Sequence, residues 1–141
     1  MRIVALIFVF LGCLVWGPKA AEASIEARIN ISTQHMEVIV DGIAQYDWQV
    51  STARRGYVTP KGTYQPQAMY TKYYSHKYHN SPMPHAIFFN GGYAVHGTYA
   101  TNQLGTPASH GCVRLDPKNA ATLYSLVSQH GPGNTRIVIL R

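Results

Sequence analysis

The chain has 141 residues, 46% of them hydrophobic and 13% charged, with a formal charge of +6. That composition suits one packed core and excludes a chain that stays disordered. The basic residues are scattered, which fits an anionic partner such as a cell-wall polymer or a membrane surface and argues against nucleic acid.

The N-terminus carries one charge, Arg2, and then an apolar run over residues 3–16. Pro18 breaks the run, and Ala21-Glu22-Ala23 follows with small residues at the two positions read by signal peptidase. This is the pattern of a secretory signal peptide over residues 1–23, cut between Ala23 and Ser24. The run is shorter than the roughly 20 residues of a spanning helix. A lipoprotein site at Leu11-Gly12-Cys13 is disfavoured because Leu14, Val15 and Trp16 continue the apolar segment past it. The expected product is one exported domain, 24–141, in the periplasm or cell wall.

Residues 25–31 alternate apolar and polar and predict a half-buried strand. A second strand is expected over 36–40 and a third over 43–50, with Asp41-Gly42 between them as a hairpin turn. Residues 51–62 read as loop, closing in a tight turn at Thr59-Pro60-Lys61-Gly62. Residues 63–70 predict a strand interrupted at Pro66. The Tyr-, His- and Pro-rich stretch 70–84 shows no period and reads as a long surface loop of the kind that serves as a lid.

Strands at 86–89 and 93–95 flank the turn Asn90-Gly91-Gly92, and 98–111 is irregular. A short strand over 113–115 leads to Asp116-Pro117, an N-cap followed by a favoured first helical residue. The helix presents Ala120, Leu123, Leu126 and Val127 on one face and ends near His130-Gly131-Pro132. Residues 136–140 close the chain as a strand. The fold class is mainly β, with one main helix packed on the sheets.

With Cys13 removed, Cys112 is the only cysteine, an unpaired thiol in an oxidising compartment. Thiol attack requires thiolate, and a nearby His or cationic group lowers the free value of about 8.5. His110 lies two residues before Cys112, on the same face if the segment is extended. His96 ends the predicted hairpin, placed to lean over a loop that returns to the same sheet. Gly97 and Gly111 remove bulk beside these groups, and Gly111 would let backbone N–H groups face an oxyanion. Arg114 could bind a carboxylate or orient a carbonyl. Tyr70, Tyr73, Tyr74 and Tyr78 suit stacking or simple packing. His76, His79 and His85 have irregular spacing with no carboxylate or second Cys nearby, so no metal site or cofactor is expected.

These residues resemble the L,D-transpeptidase catalytic domain, also called YkuD-like. The pattern is His96 followed by Ser109-His110-Gly111-Cys112-Val113-Arg114. The stretches VSTARRGYVTPKGTY, 50–64, and IFFNGGYAVHGT, 87–98, extend it over nearly the whole domain. Ala53 departs from the Gly common at its position.

The resemblance implies a YkuD-like β-sandwich of mixed sheets. It implies Cys112 as nucleophile, His96 as general base oriented by the Gly97 carbonyl, His110 positioning the site, and Gly111 and Cys112 N–H groups as oxyanion donors. Arg114, Ser109 and Tyr93 are implied at the substrate. The implied partner is a peptidoglycan stem peptide, with an amine of another stem or of a wall-anchored lipoprotein as acceptor. Water as acceptor would make a carboxypeptidase. A non-catalytic wall-binding module is the rival from another class, and intact Cys112 and His96 argue against it. An unrelated papain-like hydrolase would place Cys before His, the reverse of the order here.

Overall fold

A computed structural model describes Gly17 and residues 23–141. The signal peptide expected over 1–23 lies, but for Gly17 and Ala23, outside the described residues. The strands are β1 (Ile25–Asn30), β2 (His35–Val40), β3 (Ile43–Gln49), β4 (Gly62–Tyr64), β5 (Ala68–Tyr70), β6 (Tyr74–Ser75), β7 (Ser81–Pro82), β8 (Ala86–Asn90), β9 (Tyr93–Gly97), β10 (Val113–Leu115) and β11 (Thr135–Leu140). One α-helix, α1 (Pro117–His130), lies between β10 and β11.

Two mixed sheets form the body. The first has the order β3-β2-β1-β11-β4, with β1 and β11 parallel, and the second the order β10-β9-β8-β5, with β9 and β10 parallel. Period-two alternation sends Ile25, Ala27 and Ile29 of β1 inward, where they meet Ile87 and Phe89 of β8, Val95 of β9, and Val113 and Leu115 of β10 in one core. Ala120, Leu123 and Val127 of α1 join that core. This is the mainly β, mixed-sheet architecture with one helix expected from the sequence.

Local chemistry sets the turns. Asp41 and Gly42 both have positive φ, 49° and 81°, which is the backbone a two-residue hairpin needs between β2 and β3. The Asp116 carboxylate accepts from the Lys118 N–H at 2.9 Å and caps α1, whose end is marked by Gly131 at φ 95°.

Two expectations are corrected. The strand over 63–70 is two strands: on either side of Pro66, which lacks an N–H for a ladder, β4 joins the first sheet and β5 the second. The loop 70–84 contains the ribbon β6–β7, held at its base by Met83 N–H to Tyr73 O (2.8 Å) and His85 N–H to Thr71 O (3.0 Å). Two-residue strands leave no readable period, so the ribbon is invisible to pattern analysis.

Candidate active site

The alternation that buries Val95, Val113 and Leu115 turns their neighbours to the opposite face of the second sheet. Phe88, His96, Cys112 and Arg114 lie there, on the wall of a cavity of about 1010 Å³. The parallel register sets Arg114 beside His96 and Val113 beside Val95, so Cys112 enters β10 next to the strand that carries the histidine. Sixteen residues of chain are thereby folded back to bring the two groups to one surface. The β6–β7 ribbon and the loop over 56–58 complete the walls.

His96 is 6% exposed, and its Nδ1 lies 2.6 Å from the Gly97 carbonyl oxygen. A carbonyl only accepts, so Nδ1 carries the hydrogen and Nε2 keeps its lone pair. Burial pulls the imidazole down to about 4, opposed by the Gly97 hydrogen bond and assisted by the Arg114 charge. His96 is therefore neutral at pH 7. Gly97 has no room for a side chain: a Cβ would lie 3.0 Å from Pro84 Cγ and 3.2 Å from Pro117 Cα.

The thiol differs from the sequence expectation. Burial pushes Cys112 upward, and the Ala94 backbone amide and Arg114 only partly offset this. Its sulfur lies 3.8 Å from the Gly92 carbonyl. The resting pair is a neutral thiol and a neutral imidazole, because the nucleophile sits in a low-dielectric wall where neither charge is solvated.

His110 takes another part. Its ring stacks on Tyr78 at 4.3 Å and 19°, and its other neighbour is Tyr57 at 4.6 Å. Arg54 lies 5.0 Å over Tyr57, and Lys77 lies 5.5 Å over Tyr78. The sequence Arg54–Tyr57–His110–Tyr78–Lys77 thus forms a stack that ties the 54–58 loop, the Cys112 loop and the ribbon together. Partial burial and then Arg54, Arg114 and Lys77 push His110 downward.

Gly111 has φ 134°, and a Cβ there would lie 2.5 Å from Tyr93 Cε1 and 2.9 Å from Val58 O, so both backbone and space demand glycine. Its N–H, expected to face an oxyanion, donates to Ser109 Oγ at 3.0 Å. Of the expected pair, the Cys112 N–H is the one not drawn into that loop bond. Ser109, expected at the substrate, is 1% exposed and donates its hydroxyl to Cys112 O at 2.6 Å. It lines the cavity and also shapes the loop, with its donor and an acceptor site engaged internally. Tyr93 lines the cavity and packs on Gly111. Arg114 is half-buried, pairs its backbone with Ser51 in both directions (2.9 and 3.0 Å) and donates to Gln103 Oε1 at 3.2 Å.

Sequence reasoning missed Thr59. Its Oγ1 accepts from Ala53 N–H at 3.0 Å and donates to Gly111 O at 2.9 Å, joining the 51–62 loop to the Cys112 loop. The signal was present in the Thr-Pro-Lys-Gly stretch, which reads as a turn and hides the hydroxyl's role.

A cysteine and a histidine whose Nδ1–H is held by a backbone carbonyl share one cavity on a mixed-sheet sandwich, and these are residue types that cysteine acyl transfer uses. The chain belongs to the YkuD family, the L,D-transpeptidase catalytic domain, whose model matches residues 25–139. Among solved structures it is similar to an L,D-transpeptidase from Mycobacterium smegmatis (23% identity, TM-score 0.75, covering 84% of this chain and 59% of that one). It is similar to one from Stackebrandtia nassauensis (25% identity, TM-score 0.74, 87% and 58%). A third is L,D-transpeptidase 3 from Mycobacterium tuberculosis in complex with a faropenem-derived adduct (19% identity, TM-score 0.73, 84% and 61%). The matched region spans only about three-fifths of those chains. No curated protein matches the chain by sequence.

Proposed function

We propose that this protein is an exported peptidoglycan L,D-transpeptidase that works by thioester exchange at Cys112 in the periplasm or cell wall. The observation that carries the reading is the neutral Cys112–His96 pair on one wall of the cavity, with His96 Nδ1–H held by Gly97 O. Nε2 of His96 takes the thiol proton as sulfur attacks the carbonyl of the third, diamino-acid residue of a stem tetrapeptide. The C–N bond to the terminal D-Ala breaks, and the proton passes from His96 to the leaving amine. An acceptor amine, on a second stem or on a wall-anchored lipoprotein, then attacks the thioester, loses its proton to His96 and regenerates the thiol. The Cys112 N–H donates to the oxyanion formed at each attack.

The electrostatics of the wall support an anionic peptide. Lys77 and Arg114 line the cavity, and none of the lining residues among those described is Asp or Glu. A stem peptide, rich in carboxylates, meets cations without meeting a like charge.

The test is product analysis by mass spectrometry after incubation with a disaccharide tetrapeptide. Cross-linked dimer with release of D-Ala is the expected result, lost in Cys112→Ala. Tripeptide alone would reassign the protein as a carboxypeptidase. Turnover persisting in Cys112→Ala would remove the mechanism.

A further inference from the structure

Gln34 lies in the turn between β1 and β2, is 3% exposed, and has φ 56° although it is not glycine. A residue with a long side chain in the left-handed region is kept there only when its surroundings over-determine it. Both side-chain N–H donors and the side-chain oxygen of this residue are hydrogen-bonded. Its Oε1 accepts from Thr52 N–H at 2.9 Å, and its Nε2 donates to Thr52 Oγ1 at 2.6 Å and to Ile31 O at 2.8 Å. Its own carbonyl accepts from Val50 N–H at 2.9 Å. Main chain and side chain together act as a short strand edge against residues 50–52.

The opposite edge of that segment holds the Cys112 loop. Thr52 O accepts from Ala108 N–H (3.0 Å) and Ser109 N–H (2.9 Å), and Arg54 N–H donates to Ser109 O (2.9 Å). Ser109 Oγ in turn holds Gly111 N–H and Cys112 O. An unbroken hydrogen-bonded path therefore runs from Gln34 through Thr52 and Ser109 to the two peptides that flank the Gly111–Cys112 peptide, with Thr52 and Ser109 at most 1% exposed.

We propose that Gln34 is a positioning residue: its carboxamide fixes Thr52, and through Thr52 and Ser109 it holds the peptides on both sides of the one that carries the Cys112 N–H, and so sets the orientation of that N–H. The inference rests on the acyl-transfer reading of the cavity. Gln34 contacts neither substrate nor thiol. Its effect should therefore fall on reactions that build an oxyanion and spare those that need only the sulfur.

Two reactions of the purified protein separate these. Faropenem, a β-lactam, would acylate the thiol through a tetrahedral oxyanion. Iodoacetamide alkylates it by displacement, without one. Gln34→Gly suits the positive φ and deletes the amide, and Gln34→Glu keeps the shape but loses both N–H donors. Acylation should fall about 100-fold in each, the scale of a misplacement of about 1 Å, while alkylation keeps its wild-type rate. Thr52→Ser, which retains the hydroxyl, should acylate like wild type. Unchanged acylation in Gln34→Gly, or acylation and alkylation falling together, would overturn the proposal.

If the wild-type protein itself takes no faropenem, the acyl-transfer reading is what fails. Amide hydrogen exchange then decides the positioning: Ser109 and Gly111 amides should exchange faster in Gln34→Gly with α1 unaffected, and unchanged exchange would overturn it.

Discussion

Burial pushes the Cys112 thiol up, so in the proposed reaction the sulfur needs a base at the moment of attack, and His96 can supply one only while it is neutral. The same burial has a consequence for stability. An unfolded His takes up its proton near 6.5, whereas folded His96 does so only near 4. The unfolded chain thus binds more protons between these values, and the stability from the buried neutral ring is full above 6.5 and lost as pH falls toward 4. The difference corresponds to roughly 3 kcal/mol. Denaturant titrations from pH 7 to 4 should show that loss in wild type and a shallower slope in His96→Gln; equal slopes would contradict the assignment. His96→Gln should also slow acylation about 10²- to 10⁴-fold, the usual worth of a general base. The Cys112 and His96 letters were legible because their types and order carry chemistry. The neutral state of the pair was not, because desolvation depends on walls that come from distant strands. Gln34 was illegible for a related reason: its partner Thr52 is 18 residues away and the turn itself has no pattern.

Among the elements, the β6–β7 ribbon is the one whose role depends on a single contact. Tyr78 at its tip stacks on His110, and this stack bridges the ribbon to the Cys112 loop. An aromatic pair contributes about 0.5–1.5 kcal/mol beyond burial, enough to bias how the cavity wall sits but not to hold the fold. Tyr78→Ala should raise KM for the tetrapeptide up to about tenfold with kcat largely kept. Tyr78→Phe should match wild type, since the ring and not the hydroxyl makes the stack. An Ala variant with wild-type KM would show that the ribbon does not shape the substrate wall. Helix α1 and the Asp41-Gly42 hairpin were legible because capping and turn geometry are local. The division of 63–70 between two sheets was only half legible. Pro66 marks the break, but which sheet takes each half is set by long-range pairing with β11 and β8.

At the scale of the whole molecule, the excess of cations and the acid-free cavity act together. Net positive charge suits the anionic polymer of the proposed function, and Lys77 and Arg114 continue that potential into the cavity. The sandwich contributes rigidity: β9 and β10 are parallel neighbours backed by the core, so His96 is carried on a strand and Cys112 sits at the entry to the strand beside it. The central claim is that Cys112 becomes acylated by the stem peptide. Its most direct test is the intact mass of the protein trapped within its first turnover of tetrapeptide, before an acceptor is added. A mass increase equal to tetrapeptide donor minus D-Ala is expected, located on Cys112 and absent in Cys112→Ala. An unmodified protein that nevertheless converts the substrate, or an adduct on any other residue, would contradict it.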